Sequence, residues 1–433
     1  MDVATLAIRA VGQDGPVRVE AYDGSSAGAT DPLATLIVRS PQALGHLLAH
    51  PGELGFARAY VSGEIDLEGD LYALLSWGAE LSPRITDVRW LASLLRIAGP
   101  QLRHLPPAPP EEAHQKGWRH SKSRDAASIS HHYDVSNDFY RLVLGPSLTY
   151  SCAVFPTAQA TLEEAQATKH ELICRKLGLK PGDRMLDVGS GWGSLLMHAA
   201  QKHGVNGIGI TISREQADLA KSRVVDAGLD GQVEIRLQDY RDVVDGPFDA
   251  ISSVGMFEHV GRAKFEIYAR RLHQLLRPGG RLLNHAISRP GFTHADSAVG
   301  RTKATARRVA WAVGSSKHTR TESPFIQRYV FPDGELQEVG SVVSLLQEQG
   351  FEVRHVESLR EHYALTLRQW VNNLETNWDE ALQYVSEGRA RVWRLYMAVS
   401  AVGFEENWLA VHQVLAVKPD EKWQSGLPLR PDF

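Results

Sequence analysis

Glycines fall at alternate positions, Gly189, Gly191 and Gly193, directly behind a short run at 184–188 and directly ahead of a helical pattern at 194–203. Glycine so placed lets the backbone turn sharply and approach a ligand at a helix N-terminus. The same strand-then-helix rhythm continues on both sides. Thr161 and Glu164 make a capping box that opens a helix to about Leu177, and Pro181-Gly182-Asp183 then turns the chain into the first strand. Further strands are predicted at 207–210, 233–237, 248–254 and 281–287, with helices at 213–227 and 262–276 between them. Arg277-Pro278-Gly279-Gly280 stops the last of these helices. Runs at 351–356 and 409–417 add two strands, with long helices between about 360 and 401. Alternation at this spacing predicts an α/β fold with a doubly wound, mostly parallel sheet of seven strands.

The rest of the chain is organised differently. Residues 1–98 carry no lysine, and short apolar runs such as 35–38 give way to helical patterns at 41–49 and from 71 towards 95. These predict a small α+β domain. A Pro-rich and then polar stretch, 99–128, reads as a linker, leaving 129–433 as the catalytic domain. With 47 Lys+Arg against 51 Asp+Glu, a net charge of −4 argues against a nucleic-acid binder. Two cysteines, Cys152 and Cys174, cannot make a disulfide framework or a four-cysteine zinc site, and they suit a reducing, cytoplasmic compartment. The N-terminus lacks the basic region of a signal peptide, and no apolar run approaches the ~18 residues of a membrane span.

The glycine turn has two readings. Dinucleotide binding would need its third glycine one residue later, and an acid about 20 residues on; residues 207–213 contain none. The spacing, with Asp187 in the first strand, instead resembles motif I of the class I S-adenosylmethionine-dependent methyltransferases, a Rossmann-like fold.

Further motifs narrow the resemblance. They are His132-Tyr133-Asp134-Val135-Ser136-Asn137-Asp138-Phe139-Tyr140, Leu148-Thr149-Tyr150-Ser151-Cys152-Ala153, Gly209-Ile210-Thr211-Ile212-Ser213-Arg214-Glu215-Gln216 and Gln238-Asp239-Tyr240-Arg241-Asp242. Gly255-Met256-Phe257-Glu258-His259-Val260-Gly261, His285-Ala286-Ile287, the run 325–334 and Ser358-Leu359-Arg360-Glu361-His362-Tyr363 follow in order. Together they resemble the cyclopropane-fatty-acyl-phospholipid synthase family, including the mycolic acid cyclopropane synthases, over about 130–417. The N-terminal domain and linker are similar, more weakly, to those of the phospholipid-acting branch.

That resemblance implies methyl transfer from S-adenosylmethionine to a cis double bond of a phospholipid acyl chain, with a bicarbonate ion as base. It implies bicarbonate ligands at Cys152, Glu258, His285, the backbone of Ile287, and Tyr363. For the cofactor it implies Tyr150 and Ser151 at the methionine end, Asp187 with Gly189, Gly191 and Gly193 in close approach, Thr211 and Gln216 at the ribose, and Asp239 and Tyr240 at the adenine. No metal is expected, because these residues lack the spacing of a zinc or di-iron centre. Ser190 departs from the cysteine common in the family.

Direct proton loss would give a cyclopropane. A hydride shift first would give a methylene branch, for which a partner reductase would be needed; the Ala/Arg/Gly-rich composition fits the actinobacterial members that do this. A homodimer through the N-terminal domain is also implied. Residues 290–323 form a further departure, with six Lys/Arg and no acid between 300 and 320. They read either as a solvated loop or, around Val309, Trp311 and Val313, as a peripheral contact with anionic lipid at the inner membrane face. Two rival functions are methylation of a soluble small molecule at nitrogen or oxygen, and acyl-lipid binding on an inactive fold.

Overall fold

Two structural units carry the chain in this computed structural model, which describes residues 2–11, 15–50, 52–79, 92–93, 95–97, 99, 105–113, 136–290 and 323–433. One unit comprises Met1–His114, Phe292–Pro332 and Val385–Val402; the other comprises Gln115–Gly291, Asp333–Tyr384 and Gly403–Phe433. The first four residues of the His132 motif and the basic stretch with Val309, Trp311 and Val313 lie outside the described residues.

In the first unit, α1 (Val3–Val11), β1 (Val17–Ala21), β2 (Ser26–Gly28), β3 (Ala34–Val38), α2 (Gln42–Ala49), α3 (Glu53–Val61), β4 (Ile65–Gly69) and α4 (Leu71–Ala79) follow in order. The sheet runs β2-β1-β3-β4, with β1 and β3 parallel and the other pairs antiparallel. Strand β3 alternates, burying Ala34, Leu36 and Val38 against the helices. Residues 105–113, inside the stretch expected to be a linker, pack onto this unit. A side chain added at Gly45 would meet the Pro106 ring at 2.8 Å. Glu112 is buried and accepts two 2.8 Å hydrogen bonds from Arg58 of α3, one of 2.5 Å from Arg328 and one of 3.2 Å from the Tyr329 hydroxyl.

The second unit holds α5 (Asn137–Leu144), α6 (Leu162–Leu177), β5 (Arg184–Val188), α7 (Ser194–His203), β6 (Asn206–Thr211), α8 (Arg214–Asp226), β7 (Val233–Leu237), β8 (Phe248–Val254), α9 (Phe265–Leu275), β9 (Leu276–Ser288), α10 (Val339–Glu348), β10 (Glu352–Ser358), α11 (Arg360–Thr376), α12 (Trp378–Tyr384) and β11 (Ala410–Val417). The strand order is β10-β11-β9-β8-β5-β6-β7. Only β11 runs against its neighbours, so the sheet is mostly parallel and seven-stranded, as expected. Both faces are covered. Leu186, Ile251 and Leu282 enter one core, and their neighbours Met185, Ala250 and Leu283 enter the other. The Thr161–Glu164 capping box forms in both directions. Strand β9 begins earlier than expected: Arg277-Pro278-Gly279-Gly280 not only ends α9 but is itself drawn into the strand.

Burial alone would raise the Glu112 carboxyl, but hydrogen bonds from Arg58 and Arg328 outweigh it and hold the group below the usual carboxylate range. Its stabilisation is therefore present above the ordinary carboxylate pKa and lost as pH falls through the lowered one. Glu112→Gln should cost about 3 kcal/mol at neutral pH, because it strands a buried arginine. Urea unfolding, with amide exchange in α3 to localise the loss, checks this.

Candidate active site at the carboxyl rim of the sheet

Strands β5, β6 and β7 lie side by side and parallel, so their carboxyl ends form one rim. Behind β5, the turn places Gly189 at φ +79°, Gly191 at φ +55° and Gly193 at φ +83°, a region that side chains disfavour. A Cβ at Gly189 would also press to 3.0 Å from Met256. This is a cradle that needs bare backbone. Asp187, one turn before it, is buried and accepts a 2.6 Å bond from Ser252 of β8. Burial pushes its carboxyl up to about 6, against the pull of Ser252 and of the Lys169 charge.

At the end of β6, Thr211 donates to Gln216 at 2.7 Å, and Ser213 caps α8 by accepting from Gln216 N–H at 3.2 Å. Beyond β7, Asp239 is held by Arg241 through both carboxylate oxygens, and the Tyr240 ring meets Tyr268 edge-on at 5.5 Å. The row of expected cofactor residues thus comes together along three adjacent strand ends.

A second cluster is assembled through the β9–β11 ladder. Ile287 stands opposite Val411, whose carbonyl accepts from Leu359 N–H at 2.9 Å. The Leu359 carbonyl in turn accepts from Tyr363 N–H at 3.1 Å and from the Cys152 thiol at 3.6 Å. On the other side, Ile287 N–H donates to Glu258 Oε1 at 2.6 Å. Cys152, Glu258, His285, Ile287 and Tyr363, far apart in the chain, are therefore joined by backbone and side-chain bonds. Tyr363 packs against Phe404 at 4.7 Å and edge-on to Trp370 at 6.1 Å. Trp370 also lies 5.4 Å from Tyr150, linking the two clusters.

Burial fixes the protonation of this second cluster. It raises the Glu258 carboxyl to about 7 and lowers the His285 imidazole to about 3, the latter helped by the Lys169 and Lys176 charges. The Cys152 thiol is pushed up, so it stays protonated. Lys176 donates to the Gln413 carbonyl at 2.6 Å, which turns the Gln413 amide N–H towards His285 Nδ1 at 3.2 Å. Nδ1 then accepts, and the proton of the neutral ring sits on Nε2. Among the described residues, neither His285 Nε2 nor Glu258 Oε2 has a hydrogen-bond partner, although both are buried. A buried imidazole N–H and a buried carboxyl oxygen without partners, beside a protonated thiol, suit a small anion. Two donors are already committed: the Cys152 thiol to the Ala153 and Leu359 carbonyls, and Ile287 N–H to Glu258 Oε1, which an anion reaching that N–H displaces.

The motif reading missed Gln166 and Lys169 of α6. Gln166 donates to the carbonyls of Thr149 and Ser151 at 3.3 and 3.1 Å, and Lys169 donates to Ser151 Oγ at 3.1 Å. The signal was available: Lys169 stands at helical spacing between Ala165 and Ile173, on a face that is otherwise apolar and buried. Elsewhere between α6 and α7, ligand atoms of Cys174, His198 and His203 lie within 4.8 Å of one another. Both imidazoles there already bond Glu171, at 3.0 and 3.1 Å.

A glycine cradle at the first strand of a seven-stranded sheet whose sole reversed strand is β11 defines an S-adenosylmethionine-dependent methyltransferase of class I. Solved structures agree: a mycolic acid cyclopropane synthase, CmaA1, in complex with SAH and CTAB, superposes with TM-score 0.60 at 33% identity over 68% of this chain and 98% of its own. Residues 120–414 match the family model for mycolic acid cyclopropane synthetase, and the chain belongs to that family. A probable fatty acid methyltransferase of Mycobacterium tuberculosis is 45% identical over 96% of this chain and 94% of its own. The tuberculostearic acid methyltransferase UfaA1 of the same organism is 34% identical, over 95% and 90%. No helix among the described residues is long and apolar enough to cross a membrane.

Because the folded protein holds the Glu258 proton up to about pH 7, against 4.5 ordinarily, this residue costs stability as pH rises between those values. Glu258→Gln removes that cost. The variant should gain on the order of 3 kcal/mol relative to the parent between pH 4.5 and 7.5 in ligand-free urea unfolding. A difference that stays flat with pH would mean that Glu258 is not buried as an acid.

Proposed function

We propose that the protein transfers a one-carbon unit from S-adenosylmethionine to the cis double bond of unsaturated phospholipid acyl chains, with bicarbonate as the base, giving a cyclopropane or a methylene branch. The observation that carries this reading is the buried set of Cys152, Glu258 and His285: the thiol is held protonated, the neutral imidazole keeps an unmatched Nε2, and the Glu258 carboxyl, raised to about 7, keeps an unmatched Oε2. A methyltransferase acting on an amine or hydroxyl has little use for an anion pocket lined with donors. An alkene gains a carbon and must then lose a proton, so a base has to wait beside it.

When bound, the cofactor supplies an electrophilic methyl group, and the anion supplies a proton acceptor. The chain's residues do the rest. The glycine cradle and the Thr211–Gln216 pair fix the donor in line with the double bond. Tyr150, Tyr363 and Trp370 present aromatic faces that favour the cationic centre developing on the acyl chain and keep water from it. The His285 Nε2–H and Cys152 S–H donate to the anion. Burial raises Glu258 to about 7, and in its protonated form it donates rather than repels. On this reading the enzyme works at the inner face of the membrane, with the basic stretch at 300–320 meeting anionic head groups, and as a homodimer. A methylene product would pass to a partner reductase.

The test is a lipid assay. Purified protein is given methyl-labelled cofactor and vesicles of oleoyl phospholipid, with and without bicarbonate, and the released fatty acids are resolved by chromatography and NMR. Label is expected in the acyl chain, stimulated by bicarbonate, and ring protons or an exocyclic methylene identify the product. Cofactor binding without label in lipid would instead point to a soluble acceptor. In the same assay Glu258→Gln and Cys152→Ser should each lower turnover by about 100-fold or more, with cofactor affinity nearly unchanged. Equal loss of both would make these residues structural.

A further inference from the structure

Two lysines of α6 are buried, and the protein treats them differently. Lys176, fully buried, has a carboxylate and an amide to bond: Glu357, and Gln413 at 2.6 Å. Lys169, 1% exposed, has the Ser151 hydroxyl at 3.1 Å and, among the described residues, no carboxylate within ion-pair distance. An ammonium has three hydrogens to donate, so two of them lack an acceptor among the described residues.

The groups that feel its charge come from every side. They are Cys152 on the 149–152 strip, Asp187 on β5, His170 and Cys174 on its own helix, and His285 on β9. Asp187 is the one carboxylate among them, and it lies beyond ion-pair distance of Lys169. Both cysteine thiols are pushed up by burial, Cys174 to about 12, and Asp187 is already bonded to Ser252. One turn earlier on the same helix, Gln166 grips the carbonyls on either side of Tyr150. Helix α6 therefore holds the strip between the glycine cradle and the anion pocket, and aims an under-used cation along it.

We propose that Lys169 is a buried anion subsite that takes a carboxylate-type group, with the α-carboxylate of the cofactor's amino-acid end as the occupant its contact with Ser151 favours. The inference rests on the cofactor assignment and not on the acyl acceptor. The bicarbonate-type base is the other source of the same chemistry. Buried ammonium and carboxylate together satisfy what neither can satisfy alone, so the subsite distinguishes a ligand with the carboxylate from one without it.

Calorimetry tests this, with the lipid assay supplying turnover. Parent, Lys169→Met and Lys169→Gln proteins are titrated with S-adenosylhomocysteine and with its decarboxylated analogue, after circular dichroism has shown that each variant is folded. The parent should prefer the carboxylated ligand by at least about tenfold, and both variants should lose that preference while binding the decarboxylated ligand about as before. A preference that survives in the variants, with a bicarbonate requirement for turnover that rises about tenfold, would move the subsite to the base anion. No change in either quantity overturns the subsite and makes Lys169 a packing residue. Should neither variant fold, equal affinity of the parent for the two ligands, with no effect of bicarbonate on its melting temperature, overturns it equally.

Discussion

The antiparallel ladder between β9 and β11 is the constraint on which the site depends. Strand β9 places His285 and Ile287 two residues apart, hence on one face, and pairing with β11 sets Val411 opposite Ile287. Val411 then fixes Leu359, and Leu359 fixes both Tyr363 and Cys152. Slipping that register by one residue would turn His285 and Ile287 to the other face and move the anchor of Leu359. The reversed strand is thus what lets residues more than 200 positions apart come together, because β11 begins at the rim where β9 ends, Ala410 pairing with Ser288.

Electrostatics follows from that packing. Burial disfavours the charged forms of an acid, an imidazole and a thiol in this cluster, with Gln413 and Lys176 deciding which nitrogen of His285 keeps its hydrogen. The nearest retained charge is Lys169, which helps to hold His285 neutral. The cluster is therefore left with two unmatched atoms among the described residues, His285 Nε2 and Glu258 Oε2. The row beyond the glycine cradle behaves differently: Thr211, Gln216 and Asp239 are bonded to protein partners already. One part of the site is formed in advance, and the other is left unsatisfied.

Periodicity revealed the second unit well because buried parallel strands and covering helices leave strong patterns, and the glycine turn marked its first strand. Resemblance, and not periodicity, gathered Cys152, Glu258, His285 and Tyr363: nothing local says that a cysteine at 152 and a tyrosine at 363 share a carbonyl. In the first unit α1 and α3 went unread, since Glu53–Val61 has only a shallow apolar face and begins at Gly52 without a side-chain cap. Residues 105–113 looked like a tether because proline and charge dominate them, yet Glu112 finds Arg58 and Arg328, partners that only the fold supplies. The basic insertion at 300–320 lies outside the described residues.

Lys169 shows why a buried charge was overlooked. Read along the chain, Thr161 to Leu177 is an ordinary capped helix, and a lysine in it belongs by habit to the wet side. Its spacing says otherwise, since residues 165, 169, 173 and 177 share one stripe and three of the four are apolar and buried. A lysine in such a stripe must be neutralised, paired or provided with a ligand. Lys176, nearby on the same helix, is paired. Lys169, lowered to about 8 by burial, has no carboxylate partner among the described residues, and it adjoins the segment that carries Tyr150, Ser151 and Cys152, which is where the proposed ligand carboxylate would meet it.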